Sequence, residues 1–221
     1  MTPFFYDITT AAMKALLILT TRWQVEGKDN VPRTGPLIIV ANHLHIMDPP
    51  LLGASVPRRI NFMAKDDLFH RWMSRTIVQA YGAFPVKRGQ FDKTALRRAL
   101  EQLQKERALG IFPEGRRSLN GQLQAMQPGA SLIAARSGAP IVPIGITGSE
   151  KVNGIGYILR RPKIVVRIGQ PFMLPKDEYK PNRTGLMKHS DMILERIAEL
   201  IPESYRGIYN DKNNSGTDSE D

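Results

Sequence analysis

The chain has 221 residues, 42% of them hydrophobic and 24% charged, which suits one globular domain with a sizeable core. It contains no cysteine, which excludes a disulfide framework, a thiol nucleophile and a Cys-rich zinc site. Lys and Arg number 31 against 21 Asp and Glu; the net charge of +10 points to an anionic partner (nucleic acid, an anionic membrane or a phosphorylated substrate) or to a solubilising surface.

Phe4 to Trp23, FFYDITTAAMKALLILTTRW, predicts a helix. Asp7, Thr10, Lys14 and Thr21 recur on one side, and Phe4, Ile8, Ala12, Ala15, Leu16, Leu19 and Trp23 lie on the other. Its longest unbroken apolar run, Ala15 to Leu19, falls short of the about 20 residues of a membrane span. The acidic start, with no small-residue cleavage site after it, does not suit a signal peptide. Residues 1–27 are expected to form an amphipathic helix, either lying in a membrane interface with Arg22 and Trp23 near the headgroups or packed on the domain.

Lys28 to Pro36 is rich in Pro, Gly, Asn and Asp; it reads as a turn and opens the main domain, expected over residues 28–202. Leu37 to Ala41 is a continuous apolar run, the pattern of a strand buried on both faces. It leads into NHLHIMD, after which Pro49-Pro50 suits a helix start. Ile60 to Ala64 predicts a second strand, Arg71 to Ala80 a helix, and Ala83 to Val86 a short strand ending in Lys87-Arg88-Gly89. Phe91 to Gly110 predicts the clearest helix: Asp92 caps it, Ala95, Leu96, Ala99, Leu100 and Leu103 form its stripe, and Gly110 ends it. Gly110 to Phe112 then reads as a strand, followed by the loop PEGRRSLNGQ and a helix from Pro128 to Ser137. Ile141 to Thr147 and Lys163 to Ile168 predict two more strands, and Gly185 to Ile201 an amphipathic helix. From Glu203 to Asp221, five acids and two bases leave +13 on the rest; this tail is expected to be disordered, its end NDKNNSGTDSED having almost nothing apolar.

Strands alternating with helices predict an α/β fold, a single domain with a largely parallel mixed sheet flanked by helices. Such sheets bind ligands beyond the carboxyl ends of their strands. NHLHIMD, VKRG and PEGRRS each follow a predicted strand, so one rim gathers a His, an Asp, a Glu and several cations. Asp48, five residues after His43 across a strand-to-helix turn, can reach back to fix the imidazole's tautomer and stabilise its protonated form. Such a pair deprotonates a hydroxyl, and a hydroxyl brought by the substrate accounts for the lack of Ser or Cys in the motif. The bland alternative is a turn that happens to hold two histidines. Lys87 with Arg88, and Arg116 with Arg117, suit bidentate phosphate recognition or are exposed charge pairs. Glu114 would hydrogen-bond a polyol or orient an arginine.

NHLHIMD, GAFPVKRG, FPEGRRS and APIVPIGITG resemble, in order and spacing, the four motifs of the glycerolipid acyltransferase family, and within it the 1-acylglycerol-3-phosphate acyltransferases. The resemblance covers residues 35–170. It implies transfer of a fatty acyl group from an acyl-CoA or acyl-carrier-protein thioester to the sn-2 hydroxyl of a lysophospholipid acceptor, giving phosphatidic acid, with no cofactor, no metal and no covalent acyl-enzyme. Another lyso-lipid or polar acceptor is the alternative within the family. His43 would be the general base and Asp48 its partner, with Asn42 and His45 supporting or lining the site. Arg88, Glu114, Gly115 and Arg117 would bind the glycerol phosphate, with Lys87 and Arg116 beside them, and Pro143 would shape the acyl-donor side. An anionic membrane surface, met peripherally on its cytoplasmic face, completes the implied partners. Two positions depart from the family pattern: His45 stands where Ser is usual, and Arg116 where Thr is usual.

Two rivals remain at this stage. A metal-dependent hydrolase would use His43, His45 and Asp48 as ligands. A nucleic-acid module would explain the charge, but the basic residues lie in scattered pairs and aromatics make up only 7%, so no nucleic-acid partner is expected.

Overall fold

The computed structural model describes residues 3–70, 72–87, 91–175 and 183–210. Among them β1 (Arg22–Glu26), β2 (Leu37–Ala41), β3 (Ile60–Lys65), β4 (Phe84–Val86), β5 (Ala108–Ile111), β6 (Ile141–Thr147) and β7 (Lys163–Ile168) form a seven-stranded sheet. The order is β1-β7-β6-β2-β5-β3-β4. All pairings are parallel except β6 with β7, so β2 to β6 run one way and the edge pair β1 and β7 the other. This is the largely parallel mixed α/β sheet that the alternation of strands and helices predicts.

The apolar run of β2 is buried at every residue because helices cover both faces of the sheet. Leu37, Ile39 and Ala41 point to a cluster with Leu51 and Leu52 of α2 (Asp48–Ser55) and Tyr6 and Leu17 of α1 (Pro3–Thr20). Ile38 and Val40 point the other way, to Leu96 and Ala99 of α4 (Lys93–Gln104), Ile133 of α5 (Pro128–Ser137) and Ile193 and Ile197 of α7 (Arg183–Ala198). Full burial of each such aliphatic side chain contributes about 1.5–3 kcal/mol, so β2 is anchored from both sides. Its carboxyl end is therefore a rigid base for whatever follows.

Between β3 and β4 lies α3 (Trp72–Ala80). The helix of the 90s is capped as expected, with Asp92 Oδ1 accepting from Ala95 N at 3.0 Å, but it stops at Gln104, not Gly110. Glu106 adopts a left-handed φ of 55° and turns the chain into β5. Gly110 is thus a strand residue between Ile39 of β2 and Phe62 of β3. A Cβ there would stand 2.6 Å from the Phe62 ring and 2.7 Å from Ile60, which is why the strand has no side chain at that point.

At the amino end, α1 packs on α2 through Tyr6, Thr10 and Leu17, while the apolar side read from the sequence (Phe4, Ile8, Ala12, Ala15, Leu19) faces outward. The helix ends at Thr20, and Trp23 lies on β1 rather than on a last helical turn. Directly after the helix, Arg22 to Glu26 pair with Lys163 to Arg167 as an edge strand of the sheet. No helix among the described residues is long and apolar enough to cross a membrane. At the other end, the expected disorder does not begin at Glu203. Helix α8 (Glu203–Arg206) and a 3-10 turn (Gly207–Tyr209) fold back onto the domain, Tyr205 O accepting from Leu123 N at 2.8 Å and the Tyr209 ring buried. These two tyrosines carry apolar area that the polar composition of the tail hides. The stretch from Asp211 lies outside the described residues.

Gly110→Ala is expected to lower the unfolding free energy by about 1–3 kcal/mol through overpacking against Phe62. A urea melt of the variant that matches wild type would show that β5 and β3 can separate to admit a methyl group.

Candidate active site

Because β2, β4, β5 and β6 run parallel, the segments that follow them emerge on one rim. The turn after β2 is held there by Asn42. Its Nδ2 donates to Ile146 O at 2.8 Å and its Oδ1 accepts from Ile146 N at 2.7 Å, so a side-chain amide continues the β2–β6 ladder one residue past the strand. His43 follows, its ring stacked on Phe112 with centroids 4.1 Å apart and planes 24° apart.

Asp48 opens α2 and is fully buried. Its Oδ2 accepts from Leu44 N and His45 N, both at 2.7 Å, and lies 2.9 Å from His43 Nδ1. Two backbone donors and the positive end of a helix thus hold a carboxylate that would otherwise be costly to bury. With that carboxylate on Nδ1, the imidazole carries its proton there and presents Nε2 as the acceptor. The spacing in the sequence implies a His43–Asp48 pair, and the structure brings the two side chains together.

Glu114, in the loop after β5, is also buried, at 1% exposure. Oε1 accepts from His43 N at 2.9 Å and Oε2 from Gln124 N at 3.1 Å, while Ser118 N donates to His43 O at 2.7 Å. The two motif loops are therefore stitched together at the backbone of His43. Both Glu114 oxygens thus accept from inward backbone N–H groups. Gly115 makes the turn, with φ 69° and room for a Cβ closed off by Gln127 at 2.7 Å.

Beside the pair opens a cleft of ≈ 510 Å³ whose walls include His45, Arg117, Asn120, Glu150, Asn153 and Tyr205. His45 lines it rather than competing for Asp48. Only its backbone N–H reaches that carboxylate, and its Nδ1 accepts from Met47 N at 3.4 Å. Burial pushes the His45 pKa down, opposed by Asp48 and reinforced by Arg117. The rings of His43 and His45 and the Asp48 carboxylate do not converge, and no cluster of three metal-ligating side chains occurs among the described residues. The metal-hydrolase rival lacks its site.

The remaining sequence candidates separate. Arg117 is exposed on the cleft wall, whereas Arg116 is exposed outside it and acts on Glu114 only through charge. Lys87 is exposed, its N–H bonded to Asp92 Oδ2 at 3.0 Å, and Arg88 lies outside the described residues. Pro143 is not at the rim. It is buried inside β6 opposite Val40, where its missing N–H costs nothing because the ladder to β7 starts only at Ile144. Glu150, Asn153 and Tyr205 line the cleft without precedent in the sequence. Glu150 follows β6 as the motifs follow β2 and β5, a signal that was there to be read. Tyr205, whose OH donates to Glu150 Oε1 at 2.7 Å, arrives from the supposed tail, and burial together with Glu150 pushes its pKa up to about 12, so it stays a neutral donor.

Burial pushes the Glu114 carboxyl up from 4.5 to about 7, against the lowering by the His43 and Gln124 N–H groups. Folding therefore takes up a proton between these two values, and the linked stability is complete below pH 4.5 and lost as pH rises through 7. The change is about 3 kcal/mol at most. Denaturant melts at pH 5 and pH 8 are expected to show this fall in wild type and a smaller one in Glu114→Gln; identical pH dependence in the two proteins would remove Glu114 as its source.

The acyltransferase family profile matches residues 22–147, from β1 to the end of β6. The 1-acyl-sn-glycerol-3-phosphate acyltransferase of Bacillus subtilis (strain 168) is 26% identical over 196 residues, covering 88% of this chain and 96% of that protein. The chloroplastic 1-acyl-sn-glycerol-3-phosphate acyltransferase of Arabidopsis thaliana is 32% identical over 154 residues, covering 66% of this chain and 42% of that protein. The crystal structure of the 1-acyl-sn-glycerophosphate (LPA) acyltransferase of Thermotoga maritima matches with a TM-score of 0.67 at 25% identity, over 85% of this chain and 76% of that one. With more than half of its length inside the profile, including the His43–Asp48 turn and the Glu114 loop, the chain belongs to the acyltransferase family.

Proposed function

We propose that this chain moves a fatty acyl group from a thioester donor, acyl-CoA or acyl carrier protein, to the sn-2 hydroxyl of 1-acylglycerol-3-phosphate, giving phosphatidic acid. The observation that carries the reading is the buried His43–Asp48 contact of 2.9 Å, in a turn whose Leu44 and His45 line the cleft that presents Arg117. The nearby Ser118 hydroxyl donates to Asn120 Oδ1 and not to His43, so the nucleophile comes with the acceptor.

His43 Nε2 removes the proton of the acceptor hydroxyl as its oxygen attacks the thioester carbonyl carbon. Asp48 stabilises the imidazolium while the tetrahedral intermediate stands. Collapse of that intermediate breaks the carbon–sulfur bond, and the departing thiolate takes the proton back from His43. A base so placed contributes about 10²–10⁴-fold in rate. Arg117 pairs with the acceptor's phosphate, joined by Arg88 on motif grounds. Glu114 and Gly115 serve by fixing the His43 backbone rather than by touching substrate. Both reacting groups arrive with the substrates, so the chemistry asks for no cofactor. The outward apolar side of α1 lies in the interface of an anionic membrane, which the net charge of +10 suits, and holds the enzyme peripherally on the cytoplasmic face.

Incubation with labelled acyl-CoA or acyl carrier protein and a panel of lyso-lipids tests the reaction directly. His43→Ala is expected to lose at least about 10²-fold in kcat while remaining folded; full activity would refute its role as base. Arg117→Ala is expected to raise KM for the phosphorylated acceptor by about tenfold with kcat little changed. An unchanged KM takes the phosphate away from Arg117.

A further inference from the structure

Residues 151–163, KVNGIGYILRRPK, carry an apolar surface that neither the catalytic turn nor the core accounts for. Helix α6 (Tyr157–Arg160) and its leading loop hold Ile155 at 87% and Leu159 at 91% exposure, with Ile158 also exposed. Large aliphatic side chains so fully presented to water gain nothing for the fold. The same stretch has four bases, Lys151, Arg160, Arg161 and Lys163, and no acid. It is tied to the last turn of α1: Arg161 Nη2 donates to Ile18 O, and Arg22 Nε donates to Arg161 O, both at 3.1 Å. Ile18 and Leu19, themselves exposed, therefore stand beside α6.

We propose that residues 151–163 form a membrane-contacting lobe, in which Ile155 and Leu159 enter the acyl region of an anionic bilayer and the flanking Lys and Arg side chains pair with lipid phosphates. Aliphatic tips ringed by cations match the layered chemistry of a lipid interface. A bilayer fits better than an acidic protein because the patch continues into the outward apolar side of α1, a strip about 27 Å long. A single interfacial helix can roll about its own axis; a second contact beside its end fixes the roll. Glu150 and Asn153, at the root of the lobe, line the cleft beside His45, so insertion holds the cleft mouth at headgroup depth. The inference deepens the lipid acyltransferase reading by naming the surface through which the site meets its lipid, and its main test needs no activity.

The absence of cysteine permits clean single-site labelling. Leu159→Cys, carrying an environment-sensitive fluorophore, is expected to shift blue and resist an aqueous quencher when phosphatidylglycerol vesicles are added, whereas the same label at Glu101→Cys on α4 does neither. Ile155→Ser with Leu159→Ser is expected to partition into these vesicles at least about tenfold more weakly, while acylating a water-soluble short-chain lysophosphatidate as wild type does. A label at 159 that ignores vesicles overturns the proposal, as does one that responds only to an acidic carrier protein. Undiminished partitioning of the double variant overturns it too. A vesicle-dependent shift in a protein that acylates no lyso-lipid would sustain the lobe and defeat the proposed reaction.

Discussion

The site depends on a carboxylate buried at the start of a helix. Asp48 is out of contact with water, yet its Oδ2 meets two backbone N–H groups of its own turn as well as the imidazole of His43. Those donors come from Leu44 and His45, so the turn must close in one particular shape before Oδ2 is satisfied. Satisfying it in turn fixes where His43 points. The chemistry and the local fold are thus a single constraint, because a buried carboxylate left unpaired is costly.

That constraint is reinforced from the two neighbouring strands. Asn42 extends the pairing of β2 with β6, and Glu114 ties the loop after β5 to the His43 backbone. Phe112 supplies the apolar face on which the ring lies. Each reaches the turn from a strand that packing has already made rigid. A positioned base needs this arrangement, because small misplacement of the imidazole is costly in rate.

The cleft next to this rigid corner is built differently. One wall is the Arg117 loop, another is the segment after β6, and the far side is closed by Tyr205 bonded to Glu150. These parts lie far apart in the chain, and together they form the cleft next to the His43–Asp48 turn. The exposed apolar faces of α1 and α6 lie on the neighbouring surface, joined by Arg22 and Arg161. A lipid substrate gives that adjacency a purpose.

Local pattern determined a great deal. An unbroken apolar run meant a strand covered on both sides, alternation of strands and helices meant a mainly parallel sheet, and the five-residue step from His43 to Asp48 meant a pair across a turn. These are consequences of backbone geometry within a few residues, so the sequence carries them whole. Tertiary structure alone decided the rest. Leucine and phenylalanine on α1 look the same whether they face a core or the outside; the packing of Tyr6 and Leu17 on α2 turned the apolar stripe outward. Glu114 turned inward because N–H donors from His43 and Gln124 waited there, and Gly110 became a strand residue because Phe62 filled its place. Tyr205 entered the cleft from a stretch whose composition reads as tail. In each case the deciding partner is distant in the chain, and the burial or hydrogen bond it offers has no local signature.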